Sequence, residues 1–158
     1  MRKVTIMVKN KELKVSAIKD GTVIDHIPAT HLFKVISILG LDKIKNQITF
    51  GTNLESHQQG HKAIIKVADK FFENDEINKI SLVAPHAKLN IIREYEVVEK
   101  KTVEVPENIV GIAKCFNPKC ITNNEAMITR FSLVQEEPIS LKCHYCEKIT
   151  NEEHLYIF

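Results

Sequence analysis

The sequence predicts an α+β chain: a ferredoxin-like α/β sandwich followed by a small all-β domain. Three observations predict it. Strand-like and helix-like periods alternate over the first hundred residues, and the apolar period breaks between Lys100 and Asn108. All four cysteines fall after that break, among short β-rich pieces.

The chain has 158 residues, room for one ordinary domain or two small ones. Hydrophobic residues make up 44% and charged residues 27%, the balance of a globular chain rather than a disordered one. No apolar run approaches the ~18 residues that span a bilayer. Lys9, Asn10, Lys11 and Glu12 interrupt the apolar stretch near the amino terminus, so no secretory core is expected there. A cytoplasmic protein without membrane contact follows.

Val4, Ile6 and Val8 alternate like a strand, although Met7 is an alternative start. Leu13–Ile18 alternates apolar and polar residues and predicts a strand. Asp20-Gly21 predicts a hairpin turn, with Thr22–Ile27 as the returning strand. Pro28 opens a helix whose apolar face is Leu32, Val35, Ile36 and Leu39, and Gly40 stops it. Strands are expected at Gln47–Gly51 and Ala63–Ala68, with a polar loop holding Gly60 between them. Asn74 is the expected cap of a second helix, with Asp75 and Glu76 at the positive end of its dipole. Ile77 and Ile80 face the core, and Pro85 ends the helix. Ala87–Ile92 and Tyr95–Val98 supply the last strands of a domain spanning residues 1–100. Residues 101–108 suit a linker. Residues 109–158 show no helical period, only strand-like pieces at Ile109–Ala113, Ala126–Val134, Ile139–Lys142 and Leu155–Phe158.

Cys115-x4-Cys120 and Cys143-x2-Cys146 are the strongest chemical signal. Each spacing closes a tight turn that aims two thiolates at one point, and two such turns complete a tetrahedral Zn2+ site. The alternatives are four unrelated buried cysteines or a redox pair at Cys143 and Cys146, with His144 as a competing ligand. Four protein ligands leave no open position for water, so the site is expected to be structural and the domain a zinc ribbon. So short a segment buries little apolar surface, and the metal substitutes for a core.

Charge argues against nucleic acid as the partner. Residues 1–100 hold 16 Lys/Arg against 12 Asp/Glu, and residues 101–158 hold 6 against 8. The ribbon stands at −2, and Zn2+ with four thiolates takes it to about −4, the wrong sign for phosphate binding. A ribbon that binds protein is the better reading, with Phe116, Tyr145, Tyr156 and Phe158 read mainly as core residues. Asp25 and His26 are adjacent, so on a regular strand they face opposite sides and do not form a catalytic pair. No nucleophile elbow, phosphate-cradling glycine loop or His-Glu metal motif occurs. An enzyme is not expected.

Several separate motifs occur in order: Gly-Thr-Val-Ile-Asp-His-Ile-Pro from Gly21, Ile-Thr-Phe-Gly-Thr-Asn-Leu from Ile48, Ala84-Pro85, Tyr95-Glu96-Val97-Val98, and Leu-Lys-Cys-His-Tyr-Cys-Glu from Leu141. Together with Cys-x4-Cys they resemble the aspartate carbamoyltransferase regulatory chain, from about Leu13 to the carboxy terminus. The resemblance implies an allosteric domain that binds CTP, ATP and in some members UTP, and a zinc domain that contacts the catalytic chains. It also implies a homodimer of regulatory chains. By position, Val15, Ala17, Ile18, Asn90, Ile92, Tyr95 and Val97 match the family's base and ribose pocket. Asp25, His26, Lys66 and Lys100 match its ribose and phosphate end. Lysine ammonium groups suit a triphosphate, the Asp25 carboxylate suits a ribose hydroxyl, and His26 adds a switchable donor. Ser16 stands where some members carry a glutamate, and His57, Gln58 and Gln59 make an unusual loop.

Overall fold

The computed structural model describes residues 17–57 and 60–158. The strand-like residues before Ala17, Met7, Val15, Ser16, Gln58 and Gln59 lie outside the described residues. Ala17 and Ile18 are in no strand.

Five strands build the first sheet: β1 (Gly21–Pro28), β2 (Ile48–Ser56), β3 (Gly60–Ala68), β4 (Lys88–Arg93) and β5 (Glu96–Thr102). Their order is β2-β3-β1-β4-β5, with every neighbouring pair antiparallel. Helix α1 (Leu32–Ile38) joins β1 to β2, and α2 (Asn74–Val83) joins β3 to β4. Each helix therefore links two parallel strands with a third between them. This is the expected split βαβ sandwich, extended at one edge by β5.

Alternation decides which face is core. Ile24 lies opposite Ile65 on one side and Leu89 on the other, and all three are buried. They pack with Leu32 and Val35 of α1 and Ile80 and Val83 of α2. Gly21, at φ 141°, starts β1 because a β-carbon there would run into the Val67 carbonyl.

Four local expectations need correction. β1 is flanked by β3 and β4, which leaves no edge for a hairpin partner across Asp20-Gly21. Residues 52–56 and 60–62 are strand rather than loop, because β2 and β3 are nine residues each and pair as far as Ser56 and Gly60. Glu73, not Asn74, caps α2. Its side chain accepts from the backbone one turn on, while its own N–H donates to Glu76 Oε1 at 3.2 Å. Tyr95 belongs to a turn, with φ 66°, rather than to a strand.

Beyond Thr102 the chain is all β. Strands β6 (Asn108–Val110), β8 (Arg130–Glu136), β9 (Ile139–Cys143) and β10 (Ile149–Asn151) form a sheet in the order β10-β9-β8-β6. The short β7 (Ala113–Lys114) pairs with β11 (Tyr156–Ile157). Gly111, at φ 72°, splits the strand expected at Ile109–Ala113. The strand expected from Ala126 starts only at Arg130, and β10 was not expected. Val103 and Val105 are buried and carry one apolar cluster from the first sheet to Ile109, Phe131, Leu141 and Leu155. Among the described residues, no helix is long and apolar enough to cross a membrane.

Candidate functional site

The two cysteine turns meet in the carboxy-terminal domain. Cys120 N–H donates to the Asn117 carbonyl at 3.0 Å and closes the first turn. Two side-chain amides lock it. Asn123 Nδ2 donates to the carbonyls of Cys115 and Asn117 at 2.9 and 2.7 Å, and Asn124 Nδ2 donates to the Cys120 carbonyl at 2.8 Å. The second turn closes through Glu147 N–H to Cys143 O, with Glu147 at φ 62°.

All four Sγ atoms lie within 4.8 Å of one another. The short separations are Cys115–Cys146 at 3.6 Å and Cys120–Cys143 at 3.7 Å. Sulfurs about 2.3 Å from one tetrahedral ion stand about 3.8 Å apart, whereas a disulfide needs about 2.05 Å. The spacing fits a shared metal ion. Four unrelated cysteines is no longer a tenable reading, and each short separation joins one turn to the other rather than Cys143 to Cys146. His144 is outside the cluster, with its ring edge-on to Tyr145 at 5.1 Å. Burial pushes the Cys115 and Cys143 thiols up. At Cys146 burial also raises the pKa, but the Lys148 N–H, the Asn117 side chain and the neighbouring sulfurs outweigh it and bring the thiol to about 7. Cys115, Cys120 and Cys143 are at most 2% exposed, so four thiolates here need a cation to offset their burial.

The first sheet has a second face, turned away from its helices. On it, Lys66, Val23, Asn90 and Lys100 lie directly opposite one another across β3, β1, β4 and β5. One end of this face is polar. A bulge between Ile24 and Ile27 places His26 at φ 60°, so the alternation expected for Asp25 and His26 fails. His26 Nδ1 sits 3.5 Å from Asp25 Oδ2, and Lys62 Nζ bonds Asp25 Oδ1 at 2.8 Å. Lys88 lies opposite Asp25. Burial lowers the His26 pKa, Asp25 opposes that, and Lys62 and Lys88 add to the lowering. Burial also lowers Lys66, against the pull of Asp25. Sequence reasoning missed Lys62 and Lys88. The strand period did place Lys62 on the same face as Lys66, four residues away, which would have been signal enough had β3 been read to its true start.

The other end is apolar. Ile92 is 7% exposed and faces Val97 across the β4–β5 pair. Tyr95 N–H donates to the Lys19 carbonyl at 2.9 Å, which brings the segment holding Ala17 and Ile18 alongside the turn. The Tyr95 ring is 66% exposed. Ile92 and Lys88 are four residues apart on β4, about 13 Å. One strip thus runs from apolar groups through Asn90 to cations. Phe116, Tyr156 and Phe158 are 52%, 62% and 52% exposed, so the core reading fails for all three. Tyr145 alone packs against the core.

Comparison with known proteins agrees over nearly the whole chain. Residues 13–104 match the family described as aspartate carbamoyltransferase regulatory chain, allosteric domain, and residues 107–156 match its metal binding domain. The aspartate carbamoyltransferase regulatory chain of Parabacteroides distasonis is 57% identical over 149 residues, 94% of this chain and 97% of the relative. That of Bacteroides fragilis is 57% identical over 152 residues, covering 96% and 99%. The Pyrococcus horikoshii regulatory chain is 55% identical over 146 residues, covering 91% and 96%. Two domain matches in series and relatives covered almost end to end leave one assignment: the chain belongs to the aspartate carbamoyltransferase regulatory-chain family, with an allosteric and a metal-binding domain and a regulatory rather than catalytic role.

Proposed function

We propose that this chain binds nucleoside triphosphates on the open sheet face and grips aspartate carbamoyltransferase catalytic chains through its carboxy-terminal domain. CTP and ATP are the effectors, with UTP a third, and the regulated process is pyrimidine biosynthesis in the cytoplasm. The functional division is residues 1–100 for nucleotide, 101–108 as connector and 109–158 for the catalytic chain. Regulatory chains pair as homodimers.

One observation carries the nucleotide reading: Lys66, Asn90 and Lys100 share a rung, with Asp25 and His26 at the cationic end and Ile92, Tyr95, Val97, Ala17 and Ile18 at the other. A triphosphate suits the ammonium groups and a base suits the apolar strip. CTP and ATP carry the same triphosphate, so the lysines cannot distinguish them and the base end must. Regulation then requires each nucleotide to bind two global states of the assembly unequally, by about 1–3 kcal/mol.

Zinc is the metal the donor set favours, because four thiolates at tetrahedral spacing suit a borderline-soft d10 ion. Cys115, Cys120, Cys143 and Cys146 would hold it. It supplies cross-linking of the two turns and no reaction. The exposed Phe116, Tyr156 and Phe158 belong to the domain those turns organise and offer apolar area to a protein partner. Co-expression with a carbamoyltransferase catalytic chain tests the grip: the two chains should co-purify, and mercurial displacement of the metal should separate them on a sizing column. A complex that survives metal removal would refute a metal-organised interface.

A further inference from the structure

The lysines of the open sheet face differ in position and in what already neutralises them. Lys66 and Lys100 lie on the rung of Val23 and Asn90. Lys88 lies on the next rung, opposite Asp25 on one side and Thr102 on the other. Alternation puts Lys88, Asn90 and Ile92 on one face of β4, so Lys88 stands two residues, about 7 Å, farther from the apolar end than Asn90. Lys62 is farther along again, opposite Pro28.

Asp25 separates the two outer lysines. Its Oδ1 accepts from Lys62 Nζ at 2.8 Å and from the His26 backbone N–H at 2.7 Å. The Lys62 and Asp25 side chains are 20% and 18% exposed, a half-buried pair whose charges cancel. Lys88 is exposed, and among the described residues no carboxylate pairs with it, although Asp25 is its neighbour across the strands. Its charge is felt at His26, where it opposes protonation of the ring. Lys88 thus brings an uncompensated ammonium group to the far end of the strip.

This inference rests on the nucleotide reading given above: we propose that Lys88 reads the length of the phosphate chain. A nucleotide seated with its base at Ile92 and Val97 brings its first phosphates to Lys66 and Lys100, whatever the chain length. One rung of the sheet is comparable to the reach from the first phosphate of a triphosphate to the third. Lys88 therefore meets the terminal phosphate of a nucleoside triphosphate, which a diphosphate or monophosphate lacks. Lys62 does not take this part, because Asp25 already holds it. The base end selects the nucleotide, and Lys88 selects its state of phosphorylation.

Calorimetric titration of the metal-loaded full chain with ATP, ADP and AMP tests the assignment. Lys88→Gln should weaken ATP by about fivefold, the scale of one solvent-exposed charge pair, and leave ADP and AMP unchanged. Lys88→Arg, which keeps the charge, should restore the preference for ATP over ADP. Lys100→Ala should instead weaken ATP and ADP alike. An unchanged ATP affinity in Lys88→Gln would overturn the proposal. So would an equal loss for ATP and ADP, the mark of a long-range field rather than a contact. If the wild type binds none of the three, the nucleotide reading itself fails and the proposal falls with it.

Discussion

The two domains solve the problem of a small core in opposite ways. The allosteric domain sandwiches Ile24, Ile65 and Leu89 against Leu32, Val35 and Ile80, and its helices cover one sheet face only. The face left over is free to carry lysines. The metal-binding domain buries a smaller apolar set, Ile109, Ile112, Phe131, Ile139, Leu141, Leu155 and Ile157, and four clustered sulfurs add to it. Phe131 stays in that core, while Phe116, Tyr156 and Phe158 stand about half exposed or more at the surface. What holds each domain together therefore determines what it can offer a partner: charge from the first, apolar area from the second.

The largest expected effect breaks the second domain alone. Cys143→Ser removes one of four ligands, and structural zinc sites contribute on the order of 10–16 kcal/mol in small peptides. The variant should lose its metal and the hydrogen-exchange protection of β8 and β9, while β1, β3 and β4 stay protected. If metal loss unfolds both domains together, the shared cluster through Val103 and Val105 couples them more tightly than the comparison holds. The reciprocal change is smaller. Ile65→Ala deletes a fully buried side chain under α1 and α2 and should cost about 2–5 kcal/mol in denaturant unfolding. Metal content should not change.

Smaller again is a change on the free face. Lys100→Ala leaves both cores intact and removes one ammonium group from the rung it shares with Lys66 and Asn90. Calorimetric titration should show CTP and ATP weakened alike, by about 1–3 kcal/mol for a hydrogen bond to a charged group. A loss confined to one nucleotide would mean that Lys100 touches the base rather than the phosphates.

The same contrast explains what could be seen in the sequence. The metal centre was legible because each pair of ligands is local: a turn of a few residues presents two sulfurs whatever the rest of the chain does. The sandwich was legible from the period of Leu32, Val35 and Ile36 and from the strand–helix order. The open sheet face was harder, because its residues come from four strands and only the register brings them together. Asp25 and His26 show the limit most clearly. Their contact depends on a one-residue bulge whose cause lies in the pairing of β1 with β3, and no residue in Gly21–Pro28 announces it. Lys62 was hidden for a related reason, since the polar stretch before Ala63 looked like loop while β3 starts at Gly60 and pairs with β2 from there. Glu73 escaped because capping preferences favour short side chains such as Asn74, whereas the reciprocal bond with Glu76 decided the position.

The smallest effect separates the domains by their response to acid. Burial, helped by Lys62 and Lys88, lowers the His26 pKa below its ordinary value although Asp25 works against the shift. The folded allosteric domain thus prefers a neutral ring. Its contribution to stability is present above about pH 6.5, where the unfolded histidine is also neutral, and is lost as pH falls from there through the lowered folded value. His26→Asn keeps a residue type that tolerates positive φ and should flatten this acid limb in denaturant midpoints measured from pH 7 to pH 5. A bound triphosphate should flatten it too, since negative charge beside Lys62 and Lys88 favours the imidazolium. The metal-binding domain fails in acid by another route, protonation of its thiolates with release of the ion, so its loss should track metal content and ignore His26. An acid limb unchanged in the variant would place the sensitivity elsewhere, and the open sheet face would then lose its claim to a histidine tuned by its surroundings.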